Sequence, residues 1–295
     1  MTGTYFLGLV GYPLEHSLSP EIHQAGLEWY QLSGSYELFA IPPTNRGNKE
    51  LIKLLESTRS GNFHGVNITI PYKRSVINLV DELTPIARCV GAVNTIYTRE
   101  GKLIGDNTDA AGFLTDIRGL AHRCGDGLEG LVDPEKKTTV LILGAGGGAR
   151  AVSYALTSLG WDILISSRRP AQAKQLIKDI RVPSCPGSLS VIAHSHDAIM
   201  KILPSINLIV NATPVGMFPD ISKSPWPIGL PLPENCFIYD LIYNPPESRL
   251  LQDSRSAGLP CVNGLGMLIE QAAIAFELWT GLSAPRKSMW AALTG

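Results

Sequence analysis

An apolar run at 138–143 passes straight into Gly144-Ala145-Gly146-Gly147-Gly148-Ala149, and residues 150–159 then read as a helix closed by Gly160. Strand, glycine turn and helix in that order leave few folds open. Gly144 permits a tight turn, Gly146 lets a ligand approach the backbone, and Ala149 is small enough for close helix–strand packing. The exposed N–H groups and positive potential at the start of such a helix favour an anion. G-x-G-x-x-A in this setting therefore points to the pyrophosphate of a dinucleotide. A tight turn with no ligand is the plainer alternative.

The rest of the chain supports an α/β fold of two domains. Residues 5–10, 36–41 and 65–70 read as strands, separated by helices at 19–32 and 49–58. Ser19 is placed as an N-cap with Pro20 at the first helical position. Another helix is expected at 72–83. Residues 92–97 and 102–105 read as a hairpin over Glu100-Gly101, adding antiparallel edge strands, before a helix at 110–120. This alternation predicts a mainly parallel sheet with helices on its faces. Residues 124–137 are rich in Gly, Asp, Glu and Lys without periodicity, and read as a boundary-region loop. A second βα series runs from Thr138 to about Val262. In the last long helix, 267–280, Glu270 and Glu277 share a face expected to be wet. Gln271 aligns with Ile274, Ala275 and Leu278, where a buried amide must find partners.

Composition excludes several classes. Charged residues make up 17% of the 295 and the net charge is -1, which argues against nucleic acid as a partner. No apolar run is long enough for a membrane span, and no basic-then-apolar N-terminus suggests a signal peptide. The five cysteines (89, 124, 185, 236, 261) are scattered and form no C-x-x-C. They read as free thiols in a cytoplasmic or equivalent reducing compartment.

The strand expected at 161–166 leads into Ser167-Arg168-Arg169. A free ribose 2′-OH usually meets an acid at this strand's end. Arginines suit a 2′-phosphate instead, so NADP is favoured over NAD, with Arg168 nearer the strand than Arg169. Two later strands, 206–210 and Phe237–Asp240, end in Asn211-Ala212-Thr213-Pro214 and Leu241-Ile242-Tyr243-Asn244-Pro245. Ligands of open α/β sheets collect beyond strand carboxyl ends. Thr213 and Leu241 are thus placed for the nicotinamide half.

In the first half, Asn67-Ile68-Thr69-Ile70-Pro71-Tyr72-Lys73 has Asn67 and Thr69 on one side of a strand, leading to Lys73. A lysine in the first turn of a helix is disfavoured by about 0.3–1 kcal/mol, which hints at a site. Three clusters join it: Ser17-Leu18-Ser19-Pro20, two hydroxyls beside a helix start, Val93-Asn94-Thr95 in a strand, and Gly105-Asp106-Asn107-Thr108-Asp109. Read alone, Lys73 is more simply a solvated helix lysine, Ser19 a cap, Asp109 a cap of the next helix and Asn94 a turn residue. His194 and His196 read as a surface pair, since no third metal ligand is near. His16 beside Ser17 invites a hydrolase reading, but no G-x-S-x-G elbow exists.

Together with Gly264-Leu265-Gly266-Met267-Leu268-Ile269-Glu270-Gln271, these motifs closely resemble the shikimate dehydrogenase family, in the same order along essentially the whole chain. The resemblance implies a substrate domain from residues 1–112 and 264–295, and a Rossmann-type NADP-binding domain from 113–263. It implies reversible NADPH-dependent reduction of 3-dehydroshikimate to shikimate. By motif, Lys73 and Asp109 are implied as the catalytic pair, and Ser17 and Ser19 as contacts to the substrate carboxylate. Thr69, Asn94, Asp109 and Gln271 are implied at the ring hydroxyls, with Tyr243 nearby and Asn67 a further contact. Gly144, Ala145, Gly146, Gly147, Gly148, Ser167, Arg168, Arg169, Thr213, Leu241, Gly264 and Met267 are implied on the cofactor side. Many NADP-using members read Asn-Arg-Thr where this chain reads Ser167-Arg168-Arg169. The expected partner is a small-molecule substrate, with no metal, nucleic acid or membrane, in a monomer or homodimer. Two rival readings stay open: a quinate/shikimate dehydrogenase that prefers NAD, and a non-catalytic NADP-binding sensor.

Overall fold

A computed structural model describes residues 4–123, 138–180 and 187–294. Its strands are β1 (Tyr5–Gly11), β2 (Gly34–Ala40), β3 (Gly65–Ile68), β4 (Glu82–Leu83), β5 (Thr95–Arg99) and β6 (Lys102–Asp106), then β7 (Thr139–Leu143), β8 (Asp162–Ser166), β9 (Leu189–Ile192), β10 (Leu208–Asn211), β11 (Phe237–Asp240) and β12 (Cys261–Val262). Its helices are α1 (Ser19–Trp29), α2 (Asn45–Arg59), α3 (Pro85–Val90), α4 (Thr108–Arg123) and α5 (Gly147–Thr157), then α6 (Pro170–Asp179), α7 (His196–Ile202), α8 (Arg249–Ser256), α9 (Leu265–Thr280) and α10 (Arg286–Thr294). The chain divides into two compact units, Met1–Gly112 with Leu268–Gly295, and Phe113–Met267.

The first unit is built on a six-stranded sheet of order β2-β1-β3-β5-β6-β4. β1 pairs in parallel with β2 and β3, and β4 with β6, whereas β5 is antiparallel to both its neighbours. Both faces of β1 are covered, because successive side chains alternate. Val10 packs with Leu51, Leu55 and Val66, while Leu7 and Leu9 pack with Tyr36, Ala275 and Trp279. The hairpin over Glu100-Gly101 forms as expected, but inside the sheet: β4 covers its outer side.

Three local expectations fail here. No α-helix spans 72–83. The chain turns after β3, with Tyr72 N–H donating to the Thr69 carbonyl (2.9 Å), and then makes only a 3-10 turn at Ser75–Leu79 before β4. Ser75-Val76-Ile77-Asn78 are weak helix formers, and β-branched Val76 is wholly buried in the core. Lys73 therefore sits in a turn, outside any helix dipole. Ser19 is not the cap of α1: Leu18 occupies that position, and the Ser17 hydroxyl accepts from Ser19 N–H (3.3 Å). Strand β5 begins at Thr95, so Asn94 stands just before it.

The second unit's sheet has order β12-β11-β10-β7-β8-β9, parallel throughout. Strand order reverses between β7 and β10, which makes this a doubly wound Rossmann sheet. Such strands are buried on both faces and read as continuous apolar runs. β7 and β10 show this, with Val140, Leu141, Ile142 and Leu143 beside Leu208, Ile209 and Val210, all fully buried. Cys89, Cys236 and Cys261 are free thiols, and burial pushes Cys236 up to about 12. Cys124, Cys185 and the 124–137 loop lie outside the described residues. Among the described residues no helix is long and apolar enough to cross a membrane.

Candidate active site

In the first unit, residues of two helices, α4 and α9, converge on one amide. Asn94 donates through Nδ2 toward Thr108 Oγ1 (2.9 Å), Asp109 Oδ1 (2.9 Å) and Gln271 Oε1 (3.1 Å). Two amide hydrogens thus face three acceptors, a shared arrangement. Its Oδ1 accepts from Thr108 N–H at 2.7 Å, which ties the start of α4 to the start of β5. Lys73 Nζ donates to the other oxygen of Asp109, Oδ2, at 2.6 Å. The two side chains are 17% and 5% exposed, so this ion pair is largely shielded from water. Val93 N–H donates to the Lys73 carbonyl (2.7 Å), holding that turn against the segment that carries Asn94 into β5.

The network extends behind this centre. Asn67 Nδ2 donates to the Asn94 carbonyl (3.2 Å) and Thr95 Oγ1 (3.1 Å), and its Oδ1 accepts from Tyr36 hydroxyl at 2.8 Å. His23 stacks on Tyr36 at 4.4 Å, and burial pushes its ring down to about 3, so it stays neutral. Gln271 Nε2 donates to the Leu268 carbonyl (2.8 Å), so both ends of the buried amide are satisfied. Asp109 lies in the first turn of α4 but is not its cap: Asn107 Oδ1 accepts from Ala110 N–H (3.2 Å). That leaves the Asp109 carboxylate for Lys73 and Asn94.

Lys73, Asp109, Asn94, Asn67 and Gln271 are therefore brought into one network. Thr69 stands just past β3, half-buried, with Ser17 half-buried and Ser19 buried at the start of α1. Glu270 and Glu277 are not left to water: both pair with Arg286, at 2.9 and 2.8 Å. Sequence reasoning missed Tyr36 and His23, and quoted Thr95 within Val93-Asn94-Thr95 without assigning it a role. It quoted Thr108 without assigning it a role, although its place beside Asp109 was the available signal.

The second unit holds the glycine turn. Gly144 has φ +113°, and a Cβ there would lie 2.8 Å from the Ala212 carbonyl oxygen. Gly146 occupies the cap position of α5 with no side-chain cap bond, and a Cβ on it would meet nothing within 4 Å. The first N–H groups of α5 thus face open space over a side-chain-free backbone, a cradle that suits a pyrophosphate. Ala145 completes the loop, and Gly147 and Gly148 open the helix. A Cβ on Gly148 would come 3.1 Å from Leu241.

Beyond β8, Ser167 Oγ accepts from Arg169 N–H (3.2 Å), and Arg168 and Arg169 are exposed. His194 is not the surface residue expected. Its Nδ1 lies 3.0 Å from Ser166 Oγ, and burial with the nearby Arg168 charge holds it below its ordinary pKa. Gly264 is close-packed: a Cβ would lie 2.3 Å from the Leu241 carbonyl oxygen. Met267 is buried, and Tyr243 is half-buried in the loop after β11.

A second polar centre, unforeseen from sequence, orders the turns past β10 and β11. Asp240 is fully buried and accepts from Asn211 Nδ2 (2.9 Å), Ile242 N–H (3.0 Å) and the Ser248 hydroxyl (2.5 Å). Asn211 Oδ1 in turn accepts from Thr213 N–H and Oγ1, at 3.0 and 2.7 Å. Desolvation raises Asp240 from 3.8 to about 6, against the pull of those donors. The folded chain thus holds this proton more tightly than the unfolded one. The associated stability is complete below about pH 4 and is lost as pH rises through about 6, a difference of about 3 kcal/mol. Asp240→Asn is expected to remove that dependence. Urea unfolding of both proteins at pH 4 and pH 7.5 checks it, and parallel pH dependence in the two would refute it.

Comparison with known proteins places the chain. A model described as the shikimate dehydrogenase substrate binding domain matches residues 9–96, and one described as the shikimate 5'-dehydrogenase C-terminal domain matches 264–294. Shikimate dehydrogenase (NADP(+)) of Salinibacter ruber is 40% identical over 293 residues, covering 98% of this chain and 97% of that protein. The chain belongs to the shikimate dehydrogenase family. Among solved structures of similar fold is shikimate 5-dehydrogenase from Thermus thermophilus in complex with NADP(H) and shikimate. It is 36% identical with TM-score 0.78 and 98% coverage of each chain. Quinate dehydrogenase from Corynebacterium glutamicum in complex with NAD is 30% identical, with TM-score 0.81 and 99% coverage of each. The family likeness therefore spans the whole chain, both units included.

Proposed function

We propose that this chain catalyses the reversible, NADPH-dependent reduction of 3-dehydroshikimate to shikimate, a step of chorismate and aromatic amino acid biosynthesis. The observation that carries the mechanism is the Lys73–Asp109 pair, 2.6 Å apart and bound to the Asn94–Gln271 amides. NADPH, when bound, supplies the hydride. Charge then develops on the ketone oxygen, where an acid within hydrogen-bond reach is needed. The Lys73 ammonium gives that oxygen a proton, and takes it back in the reverse direction. Asp109 fixes the ammonium's direction and stabilises its charge.

We assign Thr69, Asn94, Asp109 and Gln271 to the ring hydroxyls, with Asn67 and Tyr243 as further contacts. Ser17 and Ser19, beside the start of α1, receive the carboxylate. Substrate binding falls to residues 1–112 and 264–295. NADP binding falls to 113–263, through Gly144, Ala145, Gly146, Gly147, Gly148, Ser167, Arg168, Arg169, Thr213 and Leu241, with Gly264 and Met267 adjoining. Free thiols at Cys89, Cys236 and Cys261 support a cytoplasmic or equivalent reducing compartment, and a monomer or homodimer is expected.

Arg168 and Arg169, with no acid at the end of β8, favour NADP over NAD. Purified protein mixed with shikimate and NADP is expected to show growing NADPH absorbance. Quinate with NAD should turn over far more slowly. No absorbance change with either pair would end this reading, and faster turnover of quinate with NAD would replace it with the quinate one.

A further inference from the structure

The carboxyl end of β8 is shared with a residue from the neighbouring strand. Ile192 at the end of β9 pairs with Ser166 at the end of β8, and His194 follows two residues later. Its Nδ1 lies 3.0 Å from the Ser166 hydroxyl, and Ser166 is only 1% exposed, so this bond is anchored in the sheet. With Nδ1 occupied, Nε2 is the ring nitrogen left to meet a ligand. Arg168 comes off the same strand end, two residues beyond Ser166, and its charge acts on the ring. The other charges nearby in sequence are Arg169 and the exposed His196–Asp197 pair (3.7 Å) opening α7. An imidazole and a guanidinium thus stand together where the ribose 2′ position of a dinucleotide is read in this fold.

We infer that His194 is a further specificity residue of the cofactor site, standing with Arg168 against the 2′-phosphate of NADP. The inference rests on the NADP reading above. Without ligand, burial and the Arg168 charge both disfavour imidazolium, so the ring is neutral near pH 7. A 2′-phosphate brings negative charge against both groups and reverses the balance. The imidazole takes up a proton from solvent and donates a charge-assisted hydrogen bond, while Ser166 holds its other nitrogen. NAD carries no such charge and gains nothing. The preference for NADP over NAD therefore widens as pH falls from 8 toward 6.

The test needs no turnover. Binding of 2′,5′-ADP and of 5′-AMP, which lacks the 2′-phosphate, is measured by calorimetry at pH 6, 7 and 8. Wild type is compared with His194→Gln. Charge-assisted bonds predict that the variant binds 2′,5′-ADP about tenfold more weakly at pH 6, a gap shrinking toward unity at pH 8. Its affinity for 5′-AMP should stay within about twofold, since the adenosine contacts are untouched. Repeating the titration in buffers of different ionisation enthalpy counts protons. Wild type should take up more than the variant on binding 2′,5′-ADP, since the phosphate's own ionisation is common to both. Equal affinities, or an equal loss on both ligands, would overturn the role given to His194. Failure of wild type to bind 2′,5′-ADP while binding 5′-AMP would instead overturn the NADP reading beneath it.

Discussion

Lys73→Ala is expected to lower kcat by about a thousandfold, as loss of a positioned proton donor does, while NADP binding stays nearly unchanged. Among the described residues, Lys73 is the cation seen to pair with Asp109. Lys73 is the group that ends 2.6 Å from Asp109, and its backbone is clamped by Val93. A Lys73→Arg variant separates charge from proton transfer: guanidinium keeps the charge but does not give up its proton near neutral pH. It should remain nearly inactive. Removing the ammonium also leaves the Asp109 carboxylate, 5% exposed, with Asn94 and no counter-charge. Some loss of stability is therefore expected, and thermal melting must accompany the kinetics. Full turnover in a folded Lys73→Ala protein would rule out the proposed proton path.

Asn94→Ala should harm both fold and activity. One amide holds Thr108 N–H, Thr108 Oγ1, Asp109 and Gln271, all buried. Truncation strands several of these groups, and each unsatisfied buried group costs about 1–3 kcal/mol. Partial rescue by water would leave a net loss of about 2–4 kcal/mol, seen as an earlier urea midpoint at unchanged slope. Activity should fall at least a hundredfold even in the folded fraction, because Asp109 loses the bond that aims it at Lys73. A midpoint within experimental error of wild type would show that Asn94 is not the hub described.

How much of this could be read beforehand differs between the units. Phe237–Asp240 matched β11 to the residue, because strands buried on both faces are plain apolar runs. The glycine turn carries its reason in its own letters. Residues 72–83 misled, since apolar positions 72, 76, 79, 80 and 83 fit a helical repeat although the intervening Ser75 and Asn78 do not favour one. The protein uses those side chains to line the core from a turn instead. At the site, residue types were legible but distances were not: Asn94 and Gln271 meet across 177 positions. Asp240 escaped notice because a lone acid at a strand end looks like a turn residue until its burial is known.

The first unit begins at the head of the chain but is finished by its tail. Ala275 and Trp279 complete the packing around Leu7 and Leu9, and Gln271 closes the polar network at Asn94. Chains emerge from the ribosome N-terminus first. One apolar face of the opening sheet, met early by Leu14 and Tyr36, must therefore wait for the rest of its cover through synthesis of the entire second unit. The Rossmann half has all its strands in one unbroken stretch, while the lysine and its aspartate gain their final setting only after Gln271 has been made.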